Sequence, residues 1–89
     1  MPRITFTPHL RKHLRCDDQV VAGRTVREIL DVLFAANPPL RGYLVDDQGR
    51  LRQHVAIFVG NTMIADRILQ SDPVPDGGEV YIFQALSGG

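Results

Sequence analysis

Arg3-Ile4-Thr5-Phe6-Thr7 alternates polar and apolar side chains, the period of a half-buried strand with Ile4 and Phe6 facing inward and Pro8 ending it. A second strand is expected between Leu14 and Val21, where Val20-Val21 is the next β-branched pair before the turn-like Ala22-Gly23-Arg24. The period then changes. Val26, Ile29, Leu30, Leu33 and Phe34 fill the i, i+3, i+4, i+7, i+8 template of an amphipathic helix. Just before it, Thr25-Val26-Arg27-Glu28 has the form of a capping box, in which the Thr25 hydroxyl accepts from the Glu28 amide while the Glu28 side chain reaches back to the Thr25 amide. Pro38 and Pro39 are expected to stop this helix, since neither has an amide proton and the residue before a proline is pushed out of the α region.

Strand patterning returns beyond the helix. Tyr43-Leu44-Val45 and the segment from Leu51 to His54 flank Asp46-Asp47-Gln48-Gly49, a hairpin-like turn with a glycine available for positive φ. In Val55-Ala56-Ile57-Phe58-Val59, the residues Val55, Ile57 and Val59 share one face and Phe58 lies on the other. Gly60-Asn61 turns the chain, and Met63-Ile64 opens a less regular stretch. Pro73 and Pro75 keep the next approach extended, Asp76-Gly77-Gly78 makes a turn, and a final strand from Glu79 to Ala85 points Val80 and Ile82 inward and Tyr81 and Phe83 outward. The predicted order is strand, strand, one long helix, then several strands. That is an α+β arrangement, a mixed sheet with one main helix packed on one face.

At 89 residues the chain is one domain with a core large enough to fold but too small to enclose a substrate cavity, which argues against a self-sufficient enzyme. Apolar residues at 44% and charged residues at 22% are ordinary for a globular protein and exclude disorder as the default. Ten basic and ten acidic side chains cancel, so no global field draws the chain to nucleic acid or to an anionic membrane. The local basic run Arg11-Lys12-His13-Leu14-Arg15 is followed by Asp17 and Asp18, and a solvated loop is expected there. Cys16 stands alone, the sequence has no apolar stretch of membrane-spanning length, and Met1 to Phe6 lacks the apolar region of a secretory signal; the cytoplasm is the expected compartment.

Motifs for catalysis are missing from the sequence: it has no GxxxxGK[ST], no GxGxxG and no serine in a glycine-flanked elbow. Asp17-Asp18 and Asp46-Asp47 sit in turn-like composition, where aspartate is favoured for local backbone hydrogen bonds. His9 and His13 have the i, i+4 spacing of half a metal site, without a second ligand pair and in a segment where Pro8 speaks against a helix. Cys16 reads as a small buried residue. Two features remain. Phe58, Tyr81 and Phe83 fall on the sheet side away from the expected helix, with Met63 near them, and such an apolar patch marks a protein contact site. If the helix lay on the other side, the same residues would be core. The other feature is the ending Leu86-Ser87-Gly88-Gly89, where a chance Gly-Gly pair is roughly a one-in-two-hundred event at average glycine usage. A tail without Cβ atoms can thread a narrow cleft and present its carboxylate.

Together the helix start Thr25-Val26-Arg27-Glu28, the segment Pro39-Leu40-Arg41 and the run Asp76-Gly77-Gly78-Glu79-Val80-Tyr81-Ile82-Phe83 leading to Gly88-Gly89 make the chain resemble the MoaD/ThiS-type sulfur carrier family over nearly its whole length. The resemblance implies a ubiquitin-like β-grasp domain over residues 1–85 and a Gly-Gly tail over 86–89. It implies a carrier, not an enzyme. A ubiquitin-activating-type enzyme would adenylate the Gly89 carboxylate, and a sulfur donor would convert it to a thiocarboxylate for a sulfur-accepting biosynthetic enzyme. No cofactor would be bound here, the ATP and Mg belonging to the activating partner. Leu86, Ser87 and Gly88 would form the threading tail, with Phe83, Phe58, Met63 and Tyr81 as partner contacts. Gln84 and Ala85 stand where family tails often carry proline, and the longer segment Leu40 to His54 is similar to larger carriers, including those serving cysteine synthesis and the archaeal small modifiers. The rival reading is a ubiquitin-like modifier joined to target lysines through Gly89.

Overall fold

A computed structural model describes residues 1–84. The chain runs β1 (Arg3–Phe6), α1 (Pro8–Leu14), β2 (Gln19–Val20), α2 (Val26–Ala36), α3 (Pro38–Leu44), β3 (Val55–Val59), β4 (Thr62–Met63) and β5 (Glu79–Gln84). The strands form one mixed sheet in the order β2-β1-β5-β3-β4, with β1 and β5 parallel and the other neighbours antiparallel. β5 is thus central, and its Ile82 is level with Phe6 on one side and Ile57 on the other.

Strand alternation selects the core face. Ile4, Phe6, Val55, Ile57, Val80 and Ile82 are all buried, and they join Val26, Ile29, Leu30 and Leu33 of α2 in one cluster. Burying each such side chain stabilises the fold by about 1.5–3 kcal/mol. Phe34, the fifth position of the stripe, packs half-buried at the margin. The helix starts as the sequence predicts, with Thr25 Oγ1 accepting from the Glu28 amide at 3.2 Å. The return arm differs: the Glu28 carboxylate accepts from the Arg24 amide at 3.1 Å and not from Thr25. The chain entering α2 runs extended beside Pro73 and Val74, with the Val74 amide on the Arg24 carbonyl at 2.8 Å, and this leaves the Arg24 amide turned toward Glu28.

Four expectations are corrected, at prolines or at very short elements. Pro8 does end β1, but the basic run beyond it is helical and not a loop, because Pro8 is itself at the start of α1, where its missing amide costs nothing. Leu10 and Leu14, four residues apart, turn toward the protein, and Arg15 closes the helix in the left-handed region at φ 54. In the same way Pro38 and Pro39 stop α2 as expected yet open α3, so Tyr43 and Leu44 are helical and not strand-like, and a further helix follows the predicted one at Asn37. The Asn37 amide caps α2 on the Leu33 carbonyl at 2.9 Å, while its side chain donates to the Leu14 carbonyl at 3.1 Å and to Cys16 Sγ at 3.5 Å. That one residue fastens the end of α1 to the α2–α3 corner. The turn at Asp46 to Gly49 is present, with Asp46 Oδ1 accepting from the Gln48 and Arg50 amides, but a single bridge between Val45 and Leu51 replaces the expected flanking strands. Finally, Thr62–Met63 is a strand, β4, where irregular chain is expected; Gly60 at φ 59 makes the turn that folds it back on β3.

The connection from β4 to β5 is held by side chains in place of regular structure. Asp66 accepts from the amides of Ile68, Leu69 and Ser71 and from the Ser71 hydroxyl, which holds its carboxyl at about 2, the Leu69 amide first among the causes. Asp72 accepts from the amides of Ala65 and Asp66 at 2.9 Å each. Gln70 is buried, adopts a left-handed backbone at φ 52, and donates from Nε2 to the carbonyls of Gly49 and Arg67. Its own carbonyl receives the Arg27 amide, so this loop is tied both to the helix and to the Asp46 turn. Among the described residues, no helix is long and apolar enough to cross a membrane.

Candidate functional site

β3 and β5 pair so that Phe58 is level with Tyr81 and Ala56 with Phe83. All three aromatics project from the face opposite the buried one, since their neighbours Ile57, Val80 and Ile82 carry the core. The alternative in which they are core side chains does not hold. Phe83 is 40% exposed, and Phe58 and Tyr81 are half-buried against one another. The rings of Phe58 and Phe83 meet edge to face with centroids 5.5 Å apart, and Tyr81 stacks beside Phe83 at 6.2 Å. Such pairs are worth about 0.5–1.5 kcal/mol beyond area burial, so the rings hold one another in place without help from the core.

These rings border an open hollow of about 310 Å³ whose remaining walls are Gly60 and Asn61. Neither residue was an expected contact. The signal for them was the turn itself, since a tight hairpin after Phe58 must bring its tip beside that ring. Met63 stands opposite Phe58 in the β3–β4 pair and is 53% exposed, but it lines a neighbouring groove of about 490 Å³ with Val59, Ile64 and the Asp72–Pro75 segment. The structure therefore brings Phe58, Tyr81 and Phe83 together and sets Met63 next to them.

Polar groups frame the aromatic row at the start of β5. The Tyr81 hydroxyl donates to the Glu79 carboxylate, two residues away on the same face, and this bond raises the phenol above its ordinary value. Glu79 is level with Arg3 of β1. At the opposite end the last described residue of β5, Gln84, is level with Val55. Because β1 is parallel to β5, α1 begins at that same end, and the Thr7 amide donates to the Ile82 carbonyl at 3.2 Å. Leu86, Ser87, Gly88 and Gly89, together with Ala85, lie outside the described residues.

Cys16 is buried beside α1, and burial, then the Asp17 charge, pushes its thiol above the usual value. Both burial and the raised pKa work against a nucleophilic role. His9 does lie on a helix, contrary to the expectation set by Pro8. No group of three or more metal-ligating side chains forms among the described residues. Asp18 serves the backbone: its carboxylate accepts from the Phe6 amide at 3.2 Å and faces Arg11 at 3.5 Å, extending the β1 ladder past the two-residue β2.

No protein-family model and no curated protein matches the chain. Solved structures do. CysO of Amycolatopsis orientalis, in its complex with BexX, superposes over 100% of both chains with a TM-score of 0.83 at 22% identity. The small archaeal modifier protein 1 of Methanosarcina acetivorans covers 99% of this chain and 95% of its own with a TM-score of 0.81 at 19% identity. CysO of Mycobacterium tuberculosis covers 97% and 100% with a TM-score of 0.77 at 21% identity. At these identities the likeness establishes the fold: the chain is a ubiquitin-like β-grasp, as its resemblance to the MoaD/ThiS type implied.

Proposed function

We propose that this chain is a sulfur carrier, a substrate of other enzymes and not itself a catalyst, whose reactive group is the carboxylate of Gly89. The observation that carries the reading is the course of β5: the strand that bears Tyr81 and Phe83 is described as far as Gln84, five residues before Gly89. Five residues reach at most about 17 Å, so a protein that grips Gly89 works within that distance of Gln84, next to the exposed Phe83. Fold likeness to CysO and to a small archaeal modifier agrees with this reading.

An α-carboxyl with a pKa near about 3.5 is ionised at neutral pH, and the carboxylate resists nucleophiles. Adenylation by a ubiquitin-activating-type partner joins the Gly89 carboxylate oxygen to the α-phosphorus of ATP and releases pyrophosphate. Hydrosulfide released by a sulfur donor then attacks the carbonyl carbon, AMP departs with the C–O bond electrons, a proton passes to solvent, and a thiocarboxylate remains for transfer to a sulfur-accepting biosynthetic enzyme. ATP and Mg are held by the partner. Leu86, Ser87 and Gly88 thread its cleft, and Phe58, Tyr81, Phe83 and Met63 rest on its surface. The setting is the cytoplasm.

ATP–pyrophosphate exchange by an adenylating enzyme of this type tests the reading. Exchange should depend on the full chain and vanish when Gly89 is deleted. Exchange that persists without Gly89 contradicts it, as does no exchange where a CysO control supports it.

A further inference from the structure

The aromatic hollow has an acidic rim that a purely apolar contact leaves unused. Its walls are Phe58, Tyr81, Phe83, Gly60 and Asn61, and its volume of about 310 Å³ stands at the foot of the range of roughly 300–1,000 Å³ that small-ligand sites span. That is room for one side chain of a partner. The Phe58 and Phe83 rings are 5.5 Å apart and those of Tyr81 and Phe83 6.2 Å apart, yet Phe83 keeps 40% of its surface exposed, so ring surface remains open to an incoming group. Phenyl and phenol rings carry negative charge on their faces and attract cations.

The charge at the rim has the same sign. Glu79 is exposed, and its backbone carbonyl accepts from the Gly60 amide at 2.8 Å, which sets it beside one wall of the hollow. Its carboxylate accepts from the Tyr81 hydroxyl, which sets it beside a second wall and keeps it on the aromatic face of the sheet. Among the described residues no cationic side chain forms an ion pair with that carboxylate. Arg3 is level with Glu79 and its charge acts on the Tyr81 phenol, but it stands on the β1 side of β5, while Gly60 and Asn61 stand on the β3–β4 side. Asn61, exposed at the hairpin tip, adds an amide oxygen to the rim.

We infer that the hollow receives an arginine side chain of the protein that handles Gly89, its guanidinium against the rings and its N–H groups toward the Glu79 carboxylate. The identity of that partner rests on the carrier reading. Arginine suits the hollow better than lysine. Its guanidinium is planar, stacks on aromatic rings and is more weakly hydrated than an ammonium, and its fork of N–H groups can reach a carboxylate while the plane stays stacked. An apolar side chain would fill the space without engaging Glu79, and an acidic one would meet Glu79 with like charge.

The test uses free peptides. The isotope-labelled full chain is titrated with two capped tripeptides, Gly-Arg-Gly and Gly-norleucine-Gly, and followed by NMR. The arginine peptide should saturably shift the amides of Gly60, Asn61 and Tyr81 and the ring protons of Phe58 and Phe83. It should bind about 3- to 10-fold more tightly than the norleucine peptide, the range of a partly exposed cation–π contact with a carboxylate beside it. Glu79→Gln should weaken the arginine peptide by about 2- to 5-fold and leave the norleucine peptide unchanged. Phe58→Leu, checked by circular dichroism, should weaken it by a similar factor through loss of the ring; if that variant disturbs the sheet, the exposed Glu79→Gln carries the test alone. Norleucine bound as tightly as arginine, shifts that fail to saturate or fall away from the hollow, or arginine binding unchanged in Glu79→Gln overturns the inference. The peptides bind without activation of Gly89, so failure here leaves the carrier reading standing. Failure of pyrophosphate exchange leaves the preference for arginine standing and removes only the partner named for it.

Discussion

Phe58 and Phe83 meet edge to face across two central strands, 5.5 Å between centroids and 84° between planes, on the side of the sheet that carries no helix. A pair of phenylalanines there adds little to the core beneath, which is closed by Ile57, Val80 and Ile82. Phe83 is on the strand that leads to the residues beyond Gln84, which is why the proposed partner contact is placed on this pair.

This separation of patch from core can be measured. Phe83→Arg should lower stability by about 1–3 kcal/mol, the worth of its two lost ring contacts, while weakening association with an adenylating enzyme. Ile82→Arg, one residue earlier, places an unpaired charge in the core and should unfold the domain. Paired thermal melts decide it. Comparable losses in the two variants would contradict the assignment of faces.

Gly23 offers a second check, this time on the join between α2 and the chain before it. A Cβ added there would lie 2.7 Å from Ile29 Cγ1 and 3.2 Å from the Ile29 amide nitrogen. Ile29 is fully buried and has nowhere to move, so Gly23→Ala should destabilise the fold by about 1–3 kcal/mol through overpacking. Gly42, with nothing near its Cβ position, should accept alanine with no loss from packing.

Acid should release the β4–β5 connection late. The Asp66 carboxyl is held at about 2 by the Leu69, Ser71 and Ile68 amides and the Ser71 hydroxyl. Its folded value lies below that of an unfolded chain, about 3.9, so the stabilisation is complete above that value and is lost as pH falls through about 2. Carboxyl NMR titration should place Asp66 at the low end of that window. Asp66→Ala should speed amide exchange at Ile68, Leu69 and Ser71 at neutral pH while the exchange of β5 amides stays slow. Equal acceleration at both sites would contradict a local role.

How much of this the sequence disclosed depends on element length and on the two meanings of proline. The five-position stripe of α2 and the alternation of β3 and β5 are long enough to show their periods, and the faces read from them are those observed. α1 and α3 carry the spacings Leu10/Leu14 and Leu40/Leu44, but each opens on proline, and a proline that ends the preceding element reads the same in sequence as one that begins a helix. β4, two residues long, is too short to have a period. The aromatic face was legible by alternation from Val80 and Ile82. Gly60 and Asn61 were legible only as a turn, whose tip the hairpin sets beside Phe58, and nothing in their chemistry marked them as contacts. Gln70 was likewise hidden: a polar residue in a long connection gives no sign that it is buried on two carbonyls.

Carrier and modifier differ in what accumulates. Lysates expressing a tagged form should contain mainly free protein and its thiocarboxylate, because Lys12 and the α-amine are the only amines from which chains of this protein can grow. A ladder of hydroxylamine-resistant conjugates that disappears on deletion of Gly89 would favour the modifier.

The central claim is that Gly89 holds sulfur, and intact mass reads it directly. The full chain incubated with an adenylating enzyme, ATP, Mg and a sulfur donor should gain the mass of one oxygen replaced by sulfur, and the chain lacking Gly89 should gain nothing. An unchanged mass for the full chain, with a CysO control converting in the same mixture, would contradict the account.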